Sequence, residues 1–296
     1  MSEQPVAAVD AGARTVPLRR ASYLKRWGAQ GALYLVLLAI IVLTFVPLVV
    51  MVLMSFRTNA QIYGNFFGLP DPWVLGNYTQ HLGSIAHYTF NTVVDSMTSV
   101  ALVVVLSSLS GYVFARHRFP GKEVLYLLVL GLLMIPQVLT LIPAFVLVRQ
   151  LGIWNTPLAL VLPWTAGGQV LGIFPCRGFV AALPEELFEA GRIDGASEFA
   201  LWYRMAVPLS WPILMTVAIL HLVNTYNDFV WPLLAIGDDT WQVVSVGLTE
   251  FTSSHGVTDY GPLMAACVLS SLPLLAAFAF GMRYFIQGIT SGALKA

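Results

Sequence analysis

This sequence has very little charge for its length. Lys, Arg, Asp and Glu together make up 10% of its 296 residues, whereas a typical soluble domain carries about 25%. Apolar residues make up 57% of the chain, and the mean hydropathy is +0.77. This composition excludes an ordinary soluble domain and predicts a membrane protein.

Cysteines and catalytic motifs are also scarce. The two cysteines, Cys176 and Cys267, lie in apolar surroundings and supply neither a disulfide framework nor a metal-binding spacing. The sequence contains no GxSxG, HExxH or P-loop motif, so we expect no catalytic site and no metal site. Without a P-loop the chain cannot itself be an ATP-driven motor, and we expect it to bind no cofactor and no nucleic acid.

Apolar segments of spanning length do occur, and there are six of them. The first covers about 36 Å as a helix, which exceeds the hydrocarbon core of ~30 Å. It follows a polar, basic stretch at residues 1–29, so we predict a retained span and not a cleaved signal. We therefore predict an all-α integral membrane protein with a single membrane domain, 30–296. The six segments lie near 31–55, 90–115, 123–148, 158–181, 209–234 and 263–287.

The basic residues predict the orientation. If six helices span the membrane, thirteen of the fifteen Lys and Arg residues fall on one side, and only Arg57 and Arg149 fall on the other. Cytoplasmic loops carry the Lys and Arg excess. Both termini, and a loop at 181–211 between the fourth and fifth spans, are therefore predicted to be cytoplasmic, with residues 1–29 as a cytoplasmic N-terminal segment.

Polar residues within two spans suggest a path for a solute. At 100° per residue, five side chains of the fifth span fall within about a third of the helix circumference: His221, Asn224, Asn227, Asp228 and Trp231. The second span places Asn91, Asp95, Thr98 and Ser99 on one face. Ionisable groups in a span usually face the bundle interior or water. A polar passage and simple interhelical hydrogen bonding both remain open. Breaks in the third span at Pro136 and Pro143, and prolines and glycines in the fourth, favour a packed bundle.

The cytoplasmic loop carries much of the remaining charge. LPEELFEAGRIDG has an acidic first turn suited to a helix N-terminus. Gly195 is expected to end this helix with a positive φ, and SEFALWYRMAVP resumes a helix up to Pro208. A lipid-surface helix is typically basic, whereas Leu183–Val207 is acidic, so a protein partner fits better than anionic lipid.

At this point the residues carry a resemblance. EAGRIDGAS, followed by Pro208, resembles the EAA motif of bacterial ABC-importer permeases of the sugar-importing branch. The match covers Glu189, Ala190, Asp194, Gly195, Ala196, Ser197 and Pro208, and Gly191 stands where the family usually has a second alanine. NTYNDFVWPL, ARHRFPGK and MRYFIQGITSGALKA resemble further family segments in the same order.

The resemblance implies a mechanism and partners. Glu189, Ala190, Gly191, Asp194, Gly195, Ala196 and Pro208 would belong to coupling helices that dock on a cytoplasmic ATPase dimer, which uses ATP and Mg. A second permease and an extracytoplasmic solute-binding protein would complete the importer in a bacterial inner membrane. A sugar is the expected solute, and glycerol phosphate or another polyol is the alternative. A secondary transporter would predict internal repeats, and a membrane enzyme would need a reactive constellation, neither of which the sequence has.

Overall fold

The computed structural model describes the backbone of residues 20–251 and 258–293 and the side chains of residues 30–31, 33–251 and 258–283. Within these ranges the regular structure is entirely helical, which confirms the all-α prediction. The chain divides into two units, Met1–Val50 and Met51–Ala296, and all packing described below lies within the second. The helices, in chain order, are α1 Arg20–Met54, α2 Asn59–Gly64, α3 Gly76–Thr79, α4 Leu82–Arg116, α5 Lys122–Gly131, α6 Gln137–Gln150, α7 Leu158–Ala181, α8 Glu185–Ile193, α9 Glu198–Leu201, α10 Val207–Leu209, α11 Trp211–Tyr226, α12 Val230–Ala235, α13 Val244–Gly247 and α14 Tyr260–Ala293.

Four of these helices contain a continuous segment long and apolar enough to cross a membrane. These segments are Leu33–Met54, Leu82–Arg116, Leu158–Ala181 and Tyr260–Arg283, and they match the first, second, fourth and sixth predicted spans. Two further helix pairs qualify only if each is counted as one bent span. The described helices therefore provide four to six spans, and six remains the prediction.

The third predicted span is bent at Pro136. Lys122–Met134 and Gln137–Gln150 meet at 101°. Proline disfavours helical backbone in the residue before it, and Ile135 is accordingly extended, with ψ at 116°. The predicted second break does not occur, because α6 continues through Pro143. Helix α7 likewise continues through Pro163 and Pro175.

The fifth predicted span is not one continuous helix, which corrects the expectation for 209–234. Helix α11 ends at Tyr226, three non-helical residues follow, and α12 begins at Val230. At its other end, Trp211–Tyr226 is bent by 77° from Glu198–Leu209. A helical wheel drawn from His221 is therefore valid only as far as Tyr226.

Small residues hold α4 close to α7 and α11. A β-carbon on Gly111 would lie 2.6 Å from the Cβ atom of Cys176, and one on Gly168 would lie 2.6 Å from Cε1 of His221. On the far side of Gly168 from Cys176, Ser99 Oγ of α4 lies 3.2 Å from Thr165 Oγ1 of α7. Close approach at small residues is the common way for helices to pack in lipid, and it positions the ends of α4 and α7 for the site described next.

Candidate functional site

The turn between α8 and α9 has the geometry that the sequence predicted. Gly195 has φ +81°, in the left-handed region. Its N–H donates to the carbonyl of Arg192, and the N–H of Ala196 donates to the carbonyl of Gly191, both at 3.0 Å. These two bonds form a Schellman motif, which satisfies carbonyls at the end of α8. Ser197 then caps α9 by accepting the N–H of Ala200.

We refer to residues 181–211, whose coupling role is a prediction, as the coupling segment. One face of it is packed against the rest of the chain. Phe188 is completely buried, in a cluster with Tyr112 of α4 and with Leu201 and Trp202. Gly191 allows the close approach, because a β-carbon there would lie 2.5 Å from Cδ2 of Leu201. Glycine in place of the usual second alanine therefore matches the tight packing of α8 on the following helix.

A network of charges attaches the same face to the end of α4. Tyr112 Oη donates to Glu198 Oε2 at 2.7 Å, and Arg192 Nε donates to Glu198 Oε1 at 2.9 Å. Arg116 donates from Nη2 to the carbonyls at the end of α7 and just beyond it, and its Nη1 pairs with Glu185. The bond to Glu198 raises the pKa of the Arg192 guanidinium above its ordinary value. The segment is thus bonded to the end of α4, and Arg116 links that end to α7.

The network was missed by sequence reasoning. Tyr112 and Glu198 lie 86 positions apart, and Arg116 and Glu185 lie 69 apart. The one signal available was that Arg116 belongs to the ARHRFPGK segment that resembles the family. Nothing in that segment points to a contact with the coupling segment.

The opposite face of the coupling segment is exposed. Ile193, Phe199 and Tyr203 are 85%, 68% and 62% exposed. Glu189 and Asp194 are also exposed and take part in none of the ion pairs found among the described residues. The other residues matched to the family motif divide between the faces: Ala190, Gly195 and Pro208 are exposed, and Gly191 and Ala196 are half-buried.

A widened, π-helical turn at Trp202–Ala206 leads from α9 to α10. The N–H of Val207 bonds to the carbonyl of Trp202, five residues back. Pro208, next in the chain, has no N–H to offer the carbonyl of Arg204, and its ring crowds that carbonyl. The 77° bend between Glu198–Leu209 and Trp211–Tyr226 follows at Ser210, two residues after Pro208.

A cleft of about 820 Å³ opens beside α11. Its walls come from residues between α5 and α6, from α6, α7 and α11, and from Trp231 of α12. Most of the lining is aliphatic, and its polar side chains are Gln137, Thr140, Trp164, Thr216, His221, Asn224 and Trp231.

Three of the five predicted path residues line this cleft. His221 is buried, with Nε2 2.8 Å from Ser99 Oγ. Asn224 is exposed, and Trp231 donates its indole N–H to the carbonyl of Ala159 at 2.9 Å. The cleft therefore has indole rings in its wall, an imidazole and a carboxamide.

Asn227 and Asp228 do not line the cleft, and the helical arc that grouped them with His221 ends at Tyr226. Their place on a solute path stays a prediction. Because α11 stops at Tyr226, Asn227 turns back to donate to the carbonyl of Val223. Asp228 accepts the indole N–H of Trp164 at 2.7 Å and the N–H of Trp231 at 3.4 Å. This carboxylate caps the start of α12 and ties it to α7.

The polar face predicted on α4 is correct for three residues of four. Asn91, Asp95 and Ser99 are buried, whereas Thr98 is exposed and bonds to its own helix. Asn91 donates to the carbonyls of Thr240 and Gln242, both at 3.0 Å. Of the two alternatives, the contacts of Asn91 match hydrogen bonding that holds the bundle together.

Comparison with known proteins agrees with these features. The family described as "Binding-protein-dependent transport system inner membrane component" matches residues 107–291, which include the coupling segment and the wall of the cleft. The arabinooligosaccharides transport system permease protein AraQ of Halalkalibacterium halodurans is 33% identical, over 84% of this chain and 90% of AraQ. The trehalose/maltose transport system permease protein MalG of Thermococcus litoralis is 32% identical, over 88% of this chain and 94% of MalG.

The fold is also found among solved structures. A bacterial ABC transporter involved in the import of the acidic polysaccharide alginate matches with a TM-score of 0.77, over 88% of this chain and 97% of that one. The two sequences are 19% identical. This likeness concerns the fold.

Proposed function

Because the chain belongs to the family of inner membrane components of binding-protein-dependent transport systems, we propose that it is the permease subunit of an ATP-driven sugar importer. In this role it is a multi-pass protein of a bacterial inner membrane and has no enzymatic activity of its own. It converts closure of a separate ATPase dimer into alternating access across the membrane. The observation that carries the proposal is the two-faced coupling segment.

The inward face of that segment suits transmission of force. Its side chains Glu198 and Glu185 bond to Tyr112 and Arg116 at the end of α4, and Arg116 in turn bonds to a carbonyl at the end of α7. A push on α8 would therefore move these helices and not merely bend a loop. The outward face combines exposed apolar side chains with two exposed acids, Glu189 and Asp194, that form no ion pair within the described part of the chain. An apolar centre with a polar rim is typical of protein interfaces, and a cytoplasmic ATPase that binds ATP and Mg is the proposed partner.

The cleft supports a neutral sugar as the solute. Its described lining contains no Lys or Arg, and His221 is its one titratable side chain. A phosphorylated polyol carries charge that a protein normally meets with Arg or Lys. Amides, hydroxyls and indole rings instead suit hydroxyl-rich, uncharged molecules. The relatives named for arabinooligosaccharides and for trehalose and maltose favour the same solute class over glycerol phosphate.

The remaining partners follow from the same role. A second permease would pack beside this chain and complete the transport pathway, and an extracytoplasmic binding protein would deliver the sugar to it. The orientation is testable with single cysteines in a variant lacking Cys176 and Cys267. A cysteine at Thr156 should react with an impermeant thiol reagent in spheroplasts, and one at Ser197 only after lysis. The opposite pattern would reverse the proposed topology, in which both termini are cytoplasmic.

The coupling role is tested by reversing one charge on the exposed face. Glu189→Lys should detach the ATPase or abolish hydrolysis stimulated by the loaded binding protein, while the amount of the permease in the membrane stays normal. Asp239→Lys is the control for ATPase copurification, because Asp239 is an exposed acid on the loop predicted to lie on the opposite side of the membrane. If Glu189→Lys retains the ATPase with full stimulation, the exposed face is not the transmission interface.

A further inference from the structure

Residues 55–80, which connect α1 to α4, form a small lobe at the end of two spans. The first span ends at Met54, immediately before the lobe. Asn59 donates to the carbonyl of Thr258 and accepts the N–H of Tyr260, both at 2.9 Å. Tyr260 is the first residue of the last span. The end of the first span and the start of the last one therefore share one membrane surface, and the 55–80 lobe lies there.

The interior of the lobe is organised by a buried arginine. Arg57 is 2% exposed, and its guanidinium donates to the carbonyls of Gln61, Asn65 and Phe66. Asn77 donates to the carbonyls of Ser55 and Arg57 at 2.9 and 3.0 Å. These bonds fold the chain back on itself and occupy backbone groups that would otherwise need water. The charge of Arg57 faces inward and is not part of the surface.

The surface of the lobe is strongly apolar. Asp71 is the one charged residue in the sequence 58–80. Six large side chains are more than half exposed: Tyr63 68%, Phe66 53%, Phe67 77%, Leu69 74%, Trp73 59% and Leu75 64%. Within 58–80 this patch offers a partner a single charged side chain, Asp71, so charge pairing cannot be what recognises it.

Two of these side chains are fixed at the level where the spans end. The ring of Trp73 lies 5.1 Å from that of Phe56, which is two residues past the end of the first span, and Val74 N–H donates to the carbonyl of Phe56 at 2.9 Å. The ring of Tyr63 lies 6.1 Å from that of Tyr260. Trp and Tyr are enriched at this depth, because each has an apolar ring and a polar group that stays hydrated.

We propose that Tyr63–Leu75 is a lipid-binding surface that inserts its aromatic side chains between the headgroups and acyl chains of the leaflet at which the first span ends. The partner is uncharged or zwitterionic lipid, because the surface has no exposed basic residue to favour an anionic headgroup. The internal bonds of Arg57 and Asn77 make the lobe a preformed support for these side chains. Lipid contact there would fix the height of the first and last spans in the bilayer.

The experiment measures lipid contact directly. Both native cysteines are replaced by alanine, and the full chain with Phe67→Cys is labelled with a polarity-sensitive fluorophore in phosphatidylcholine vesicles. Thr79→Cys is the matched control, since it is an exposed, polar position on the same lobe. With lipid brominated close to the headgroup, the probe at 67 should be quenched roughly threefold more than the probe at 79, because interfacial side chains lie only about 5–10 Å deep. Lipid brominated at the chain ends should quench less.

Equal quenching at the two positions would overturn the proposal. So would a probe at 67 that becomes shielded only when the other transporter subunits are added, because this result would assign the surface to a protein partner. Phe67 is 77% exposed, so its replacement removes little internal packing. The comparison of positions 67 and 79 requires neither the ATPase nor sugar, so its outcome is independent of the proposed function.

Discussion

Substitution of Gly195 separates the effect of backbone conformation from that of side-chain bulk. Its φ of +81° lies in the left-handed region, and apart from its chain neighbours no described residue comes within 4 Å of the place a β-carbon would take. Valine would fit the space but not the angle. An L-residue pays about 1–2 kcal/mol in left-handed backbone, and for a β-branched residue this conformation is a genuine outlier. The strained turn should therefore cost about 2 kcal/mol.

The chain cannot avoid this cost by abandoning the turn. A change of φ would break the bonds from Gly195 to Arg192 and from Ala196 to Gly191, at about 1 kcal/mol each. It would also displace the cap of α9 at Ser197. Either route disfavours the native turn between α8 and α9 by about 2 kcal/mol. This corresponds to a factor of roughly 30 in the population of that turn.

The assay compares Gly195→Val with Gly195→Asn in the complete importer. Asn tolerates the left-handed conformation, so this variant should keep near-normal ATPase copurification and near-normal hydrolysis stimulated by the loaded binding protein. The valine variant should lose most of both while still inserting in the membrane. Equal impairment of the two variants would show that side-chain bulk against a partner decides, and normal behaviour of the valine variant would refute the role of the turn.

Three further changes test the site. Tyr112→Phe removes one hydrogen bond to Glu198, which is worth about 1 kcal/mol because Glu198 is partly exposed. ATP hydrolysis stimulated by the binding protein should fall roughly fivefold at unchanged protein level. An unaltered rate would exclude this hydrogen bond from transmission. Asn224→Ala should lower sugar uptake while the assembled complex keeps its ATPase, and normal uptake would place the solute elsewhere. Asp228→Ala removes the cap of α12 and its bond to α7, so it should lower the thermal stability of the detergent-solubilised protein, and an unchanged melting temperature would contradict the capping role.

Properties that depend on neighbouring residues were predictable from the sequence alone. The apolar segments follow from composition over about twenty residues, because a span must match the thickness of the hydrocarbon core. The turn at Gly195 follows from a helix that must end before Ser197, at a residue free of a β-carbon. The spans and the turn are set within a few helical turns, so no knowledge of the fold was needed. Proline bends are not, because the missing N–H and the restricted preceding residue predicted breaks at both Pro136 and Pro143, and α6 continues through Pro143.

Features that join distant parts of the chain were decided by the tertiary structure. The end of α11 at Tyr226 was not predictable, because the sequence of the path residues is compatible with a continuous helix. The hydrogen bond from Trp164 of α7 to Asp228 is a tertiary contact that the sequence does not reveal. Tyr112 meets Glu198 only because small residues such as Gly111 bring α4 against α7 and place their ends beside the coupling segment. Composition and helical periodicity describe which faces of a helix are apolar. The distance and angle between two helices depend instead on how their side chains interlock. Those distances decide which polar groups pair and where a cleft remains.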